Sequence, residues 1–347
     1  MAEERTVYII GAGFSHGYDP ENFPLMNDMF NNLDSVPEEL KSRTDVELLK
    51  DILNMLYGDL RKADIEEVLA YCDIIENGPI YLGEAEKNKL LGLRLSGAIK
   101  SYLTYNLFHA FNENESYGKW IKSIKDYDAI ITFNYDLLIE WIMINYLEEN
   151  NPFLQNQKEE LSNSIDLMNM TFDVMIKGRF LKLHGSILWY VCTHIGCRNH
   201  TSVFSYANNY PKLLLEQNLS KYKLPNYCRN CSSPLDEVII YPGMYKRYEK
   251  FPKIQHLWNL AGKTLKEANR IIVIGYSFRE QDIATSFLIK SYLMPEENKN
   301  SLNWIVVDPY ADKISRRLID LLPARKSEIT YCQTYENLTE FMSSTSK

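Results

Sequence analysis

Apolar positions along the chain fall into two kinds of pattern. Short unbroken runs such as 7–10 (VYII) end in glycine or polar residues and read as buried strands. Residues 129–133, 180–183, 238–241, 271–274, 304–307 and 328–331 repeat that form. Between several of them the apolar spacing changes to i, i+3, i+4, which predicts helices near 136–147, 254–268, 280–293 and 312–321. Strands alternating with helices predict an α/β fold, a parallel sheet with helices on both faces. Strands that are apolar throughout suit a sheet covered on both sides.

Two stretches interrupt this alternation. From 36 to 125 strand signals are sparse and the periodicity is helical: Leu49, Ile52, Leu53, Leu56 and Leu60, then Ile65, Val68, Leu69 and Cys72. From 190 to 236 the chain carries four of its six cysteines. The predicted organisation is a core from 1–35, 126–189 and 237–347, a helical insert at 36–125 and a small cysteine module at 190–236.

Composition adds three exclusions. With 347 residues, 45% of them apolar and 24% charged, the chain is an ordinary globular sequence rather than a disordered one. No apolar run approaches the roughly 18 residues of a membrane helix, so no membrane association is expected. The net charge of −8 gives no general attraction to phosphate backbones, so direct nucleic-acid binding is not expected either. The first residues have neither the basic nor the apolar region of a secretory signal, and the expected compartment is the reducing cytoplasm.

Candidate chemistry gathers at the ends of predicted strands, where open α/β sheets bind ligands. Gly11, Ala12, Gly13 and Ser15 follow the first strand in a G-x-G-x-x-x-G pattern. Such a loop lets backbone amides approach a pyrophosphate, or is simply a tight turn. No second strand with an acid follows, so an ordinary dehydrogenase fits poorly. Asn134 and Asp136 follow the strand at 129–133; Asp136 can accept from a ligand or cap the next helix. His184 follows 180–183 and is a candidate general base. Gly275 and Ser277 follow 271–274 and could hold phosphate or ribose. Asp308 ends 304–307, as a ribose ligand or as a turn residue before Pro309.

The cysteine spacing is the most specific local signal. Cys192-x₄-Cys197 and Cys228-x₂-Cys231 suit a closed tetrahedral site for a structural Zn²⁺, with His194 and His200 near enough to replace a thiolate. Cys72 and Cys332 read as core.

Taken in order, GAGFS (11–15), FNYD (133–136), LHG (183–185), the four cysteines, GYSF (275–278) and VDP (307–309) resemble the sirtuin family over nearly the whole chain. The resemblance implies a Rossmann-like NAD-binding domain with a zinc-ribbon module and a helical insert. It implies that Gly11, Ala12, Gly13 and Ser15 line the NAD⁺ phosphates and that Asn134 positions a water or ribose hydroxyl. Asp136 would hold the carboxamide, His184 would be the catalytic histidine, and Gly275 and Ser277 would contact phosphate and ribose. Asp308 would stand where the family has an adenosine-ribose residue, usually Asn.

The departures are informative. A Pro-Asp-Phe-Arg element of the deacylases is replaced around Phe23, Pro24, Leu25 and Met26. Phe133 stands where a Gln precedes the Asn, and Tyr241, Pro242 and Gly243 stand near the place of a Phe-Gly-Glu strand. These elements shape the lid and the acyl-lysine groove. The sequence is thus closer to the sirtuin-like NAD-hydrolysing enzymes of prokaryotic antiphage defence. That branch implies an NAD⁺ glycohydrolase whose activity is gated by homo-oligomerisation or by a partner defence protein, a HerA-type ATPase, a short Argonaute or another sensor. An NAD-dependent protein deacylase and a non-catalytic NAD or ADP-ribose module are the alternatives. The aromatic stripe Tyr102, Tyr105 and Phe108 is either core or a candidate interface.

Overall fold

Five short, mostly apolar strands and a polar edge strand pair into one parallel sheet whose inner strands exclude water on both faces. A computed structural model describes residues 4–25, 28–31, 33, 36, 46–59, 62–65, 67–69, 71, 95–100, 102–104, 106–107, 111–125, 127–147, 180–198, 200, 203–205, 227–240, 251–280, 282–298 and 300–345. Strands β1 (Thr6–Ile10), β2 (Ala129–Thr132), β3 (Phe180–Lys182), β7 (Arg270–Ile274), β8 (Asn303–Val307) and β9 (Gln333–Tyr335) lie in the order β3-β2-β1-β7-β8-β9. Every residue of β1, β2 and β3 is buried. The order reverses between β1 and β7, the switch point at which doubly wound sheets open a crevice.

The register aligns the strand ends. Ile10 pairs with Thr132 on one side and Ile274 on the other, Thr132 with Lys182, and Ile274 with Val307. The residues that follow these ends therefore form a row along one edge of the sheet.

Helices α4 (Leu138–Tyr146), α5 (Pro252–Lys266), α6 (Ile283–Leu293) and α7 (Ala311–Leu321) fall close to the expected helical stretches, and α1 (Ala12–Tyr18) starts directly after Gly11, so the expected glycine loop is the first turns of a helix. In the region read as a helical insert, α2 (Val46–Tyr57) buries Val46, Leu49, Ile52 and Leu53. Residues 95–100, 102–104 and 106–107 are also helical. Helix α3 (Glu115–Ser123) is capped by Asn114, whose side chain accepts from the Ser116 and Tyr117 amides. Trp120 of α3 packs edge-on to Tyr8 of β1 and against Phe14 of α1, fastening this region to the sheet.

Two expectations change. Residues 328–331 do not form a strand: α8 (Lys326–Thr330) occupies them, and the sheet's last strand starts at Gln333. A 3₁₀ turn at Pro323–Arg325 feeds into that helix, and the Arg325–Glu328 pair at 2.9 Å is a helical i, i+3 contact. The apolar run at 238–241 contributes to β6 (Leu235–Ile239), which belongs to a second sheet. That sheet is antiparallel, ordered β5-β4-β6, with β4 (Gly185–Cys192) in its centre and β5 (Val203–Ser205) at one side. Helix α9 (Leu338–Thr345) closes the chain against α3.

Tyr102 is fully buried and its hydroxyl donates to the Met29 carbonyl, so it belongs to the core. Tyr105, Phe108 and Cys72 lie outside the described residues. Cys332 is half-buried, 3.3 Å from the Ser315 hydroxyl. Among the described residues, no helix is long and apolar enough to cross a membrane.

Candidate active site

The glycine loop is built against the end of β7, backbone on backbone. Gly11 N–H donates to the Ile274 carbonyl at 3.0 Å, and Gly13 N–H to the Gly275 carbonyl at 2.9 Å. Gly275 has φ +61°, and a Cβ on it would lie 2.2 Å from the Phe14 nitrogen. A Cβ on Gly11 or Gly13 would meet the Gly275–Tyr276 backbone within 2.7 Å. The glycines therefore let two loops cross at the switch point. The Gly11 and Gly13 amides, expected to face a pyrophosphate, are donated within the protein instead. Ala12 lies exposed at the same edge.

Three polar side chains meet beneath this crossing. The Ser15 hydroxyl donates to Asp136 Oδ2 at 2.8 Å. The Asn134 amide donates to Ser15 Oγ at 3.1 Å and to the Gly11 carbonyl at 3.0 Å. All three residues are buried. Both donor hydrogens of Asn134 are engaged, and no described residue donates to its Oδ1. Asn134 is 7% exposed, so this acceptor is held in a fixed direction inside the site.

Asp136 has a double duty. Its Oδ1 accepts from the Leu138 amide at 3.0 Å, the first turn of α4, while Oδ2 accepts from Ser15. The N-cap of α4 is Leu137, so Asp136 holds the helix's first amide from one residue further out, and the same carboxylate fixes the serine. Behind it, Lys182 points its ammonium at the Asp136 carbonyl and pairs with Glu140 Oε1 at 2.7 Å. Lys182 is 1% exposed, and burial pushes the Glu140 carboxyl up while the Lys182 charge opposes that rise. A lone Lys in the apolar run FLKL was the available signal for this pair, since a buried ammonium needs an anion.

His184 occupies the turn that follows β3, where the chain leaves the large sheet and enters β4. Its ring is buried among Phe133 (5.0 Å between centroids), Tyr135 (6.1 Å) and Trp258 (6.3 Å). The turn ends at Gly185, φ +83°, where a Cβ would come within 1.9 Å of the Val238 carbonyl oxygen. Phe133 also stacks on Tyr276 at 4.5 Å, and the Tyr276 hydroxyl donates to the buried Asp282, which caps α6. Tyr276 belongs to the GYSF stretch that Asp282 follows, whereas Trp258 was not singled out from the sequence and carries no local pattern that would mark it.

Gly11, Ser15, Asn134 and Asp136 are thus in direct contact, with Gly275 packed on the loop. Ser277 and Asp308 lie beyond the switch point and make no hydrogen bond to that group among the described residues. The Ser277 carbonyl accepts from Arg317 at 2.7 Å. Asp308 Oδ1 accepts from the Tyr310 amide at 2.8 Å, the turn reading, and burial raises its carboxyl above the usual range.

In the small sheet, the Sγ atoms of Cys192, Cys197, Cys228 and Cys231 all lie within 4.8 Å of one another. The Cys192–Cys231 and Cys197–Cys228 separations are 3.4 and 3.8 Å. Four sulfurs at zinc-thiolate bond length around one ion would be about 3.8 Å apart, so the donor set fits Zn²⁺. Burial pushes the Cys192 thiol up to about 12, while hydrogen bonds hold the Cys228 and Cys231 thiols below the usual range; Zn²⁺ among the four would hold them as thiolates. His194 is exposed and His200 Nδ1 lies 3.0 Å from the Cys192 carbonyl, so neither joins the four thiols. The Asn230 amide donates to Cys197 Sγ at 3.2 Å, as an outer-shell partner would.

The fold and this row of strand ends define a SIR2-like protein. The SIR2-like domain model matches residues 128–327, and the chain belongs to that family. The match includes Asn134, Asp136, His184 and the four cysteines, and begins after the glycine loop that Ser15 ties to Asp136. Among solved structures, the chain is similar to one described under the mechanism and regulation of Sir2 enzymes, at 14% identity and TM-score 0.42, covering 99% of this chain and 90% of that one. It is similar to a mutant Sir2 homologue in complex with ADP-ribose, at 15% identity and TM-score 0.43, covering 99% and 91%. A Sir2 homologue–NAD complex matches at 15% identity and TM-score 0.41, covering 99% and 88%. A search of curated proteins finds no match.

Proposed function

We propose that this protein is an NAD⁺ glycohydrolase that releases nicotinamide and leaves ADP-ribose. The observation that carries the reading is the buried Ser15–Asn134–Asp136 group, which presents Asn134 Oδ1 as a fixed acceptor at the strand ends. Such an acceptor can hold a water or a ribose hydroxyl at the nicotinamide ribose. The glycosidic C–N bond breaks, nicotinamide carries off the bonding pair, and the water oxygen bonds to the oxocarbenium-like carbon. The proton it releases passes to His184 or to solvent. A preorganised acceptor in a water-poor site stabilises that transition state without reorganising.

Asp136 acts here through Ser15 and the first amide of α4. Zn²⁺ on the four cysteines has no open position and is structural. Membership of the SIR2-like family supports NAD⁺ as the substrate, and the altered residues around Phe23 and Phe133 favour water over acyl-lysine as the nucleophile. The role that goes with this reading is a cytoplasmic effector of antiphage defence that kills by depleting NAD⁺. It would be gated by self-assembly or by a sensor such as a HerA-type ATPase or a short Argonaute.

The test is nicotinamide release by wild type, Asn134→Ala and His184→Ala, with and without an acetylated peptide. Peptide-independent release that falls on the order of 10²-fold or more in each variant supports the hydrolase. Release that requires the peptide, with deacetylation, replaces it by the deacylase reading. NAD⁺ binding with no release, in the presence of candidate partners as well, points to a binding module.

A further inference from the structure

Helix α5 sends an indole across to the strand end that bears His184. Trp258 Nε1 donates to the Leu183 carbonyl at 3.0 Å. The next carbonyl, that of His184, accepts from the Ile240 amide at 2.8 Å, and the Leu183 amide donates to the Thr132 carbonyl at 2.9 Å. The turn is therefore pinned on both sides of the Leu183–His184 peptide, and only the two side-chain torsions of His184 remain to be fixed. Phe133, Tyr135 and Trp258 surround the ring and limit those. Phe133 and Trp258 each face the imidazole and lie 6.3 Å from each other, so the three rings form a triangle. The Trp258 ring is 29° from parallel with the imidazole. Turning the imidazole by a half-rotation, which exchanges Nδ1 for Nε2, requires these rings to part.

We infer that Trp258 is a positioning residue for His184, setting both the backbone and the ring orientation of the histidine from outside the strand-end motifs. The inference rests on the role proposed above for His184. It assigns Trp258 no contact with NAD⁺, so its removal should act on the chemical step and not on binding.

The experiment uses the full chain with ¹³C-labelled histidine, His184 being assigned from the signal missing in His184→Ala. Trp258→Leu removes both the ring and the N–H donor; Trp258→Phe keeps a ring and loses only the donor. In Trp258→Leu the His184 ring protons should move downfield, because the indole no longer shields them. kcat for nicotinamide release should fall roughly ten- to a hundred-fold with KM for NAD⁺ little changed. Trp258→Phe should regain most of kcat and keep His184 near its wild-type shift. His184 resonances that stay in place in Trp258→Leu overturn the inference. So does a variant that raises KM at constant kcat. If Trp258→Leu does not fold, Trp258→Phe carrying ¹³C at its leucine carbonyls decides: an unmoved Leu183 carbonyl resonance overturns the role of the N–H. A wild-type chain that releases no nicotinamide sinks the proposed hydrolase, while the histidine resonances still decide the part played by Trp258.

Discussion

The parallel sheet and the cysteine-bearing end of the antiparallel sheet hold their shapes by different means. In the parallel sheet, every strand but the edge strand β9 is mainly apolar and buried, and the polar site is a small inclusion in a large core. In the antiparallel sheet, β6 is half-buried for three of its five residues. Ile187, Trp189 and Val191 of β4 and Val238 and Ile239 of β6 join the large core, but the cysteine end beyond them has only a cluster of Cys192, Cys197 and Cys228 with Cys231 and Leu235 against it. A core this small does not offset the entropy of ordering the chain around it, so donor atoms must do so. The lesson is that one polar substitution should perturb the large sheet locally, whereas one lost thiolate should undo the small module.

The largest effect should therefore come from the cysteines. Cys228→Ser with Cys231→Ser should take bound zinc from one equivalent to none and open the chain near 190–236 to protease. Structural zinc sites contribute on the order of 10 kcal/mol. The parallel sheet should still melt cooperatively; if metal removal unfolds the whole chain at once, the contrast between the sheets is wrong. Elemental analysis and limited proteolysis read both outcomes.

A smaller effect should follow from Lys182→Met, which leaves Glu140 buried without its ammonium. Breaking one side of a buried pair costs about 3–5 kcal/mol. Its pH dependence has a definite sign. Burial already raises the Glu140 carboxyl, and without Lys182 the rise grows, so the folded state holds a proton that the unfolded state releases. Stability of the variant should fall as pH rises above the ordinary carboxylate range. Denaturant melts at pH 5 and pH 8 test this, and Lys182→Met with Glu140→Leu should remove the pH dependence.

The smallest effect is expected at Asp308→Asn. The amide oxygen keeps the bond from the Tyr310 N–H, and the substitution removes a carboxylate that burial disfavours. Stability should change by less than about 1 kcal/mol, slightly upward at neutral pH. A raised carboxyl loses stability as pH rises through its folded value, and the variant should lose that slope. NAD⁺ affinity measured by calorimetry should be retained; a large loss would assign the charge itself to ligand binding.

Much of this was legible in the chain. The apolar runs marked β1, β2, β3, β7 and β8 because strands buried on both faces need no alternation. The cysteine spacing marked the four donors. Two things were not legible. The run at 328–331 has strand-like residues, but a Pro-initiated turn and the Arg325–Glu328 pair make it a helix. The supports of the site are contacts between distant segments: Trp258 lies 75 residues from Leu183 in sequence, and Lys182 lies 42 from Glu140. No local pattern encodes such a pairing.

The bond between Ser15 and Asp136 joins residues 121 positions apart and sits at the base of the long excursion between β1 and β2. Once that base is shut, the entropy of the loop above it grows only with the logarithm of its length, so doubling the excursion adds about 0.6 kcal/mol. The row of strand ends then tolerates added length in that excursion, provided the contacts of α2 and of Trp120 with the core are kept. This is the position at which such a fold can lengthen, shorten or accept a new recognition element while its chemistry stays in register.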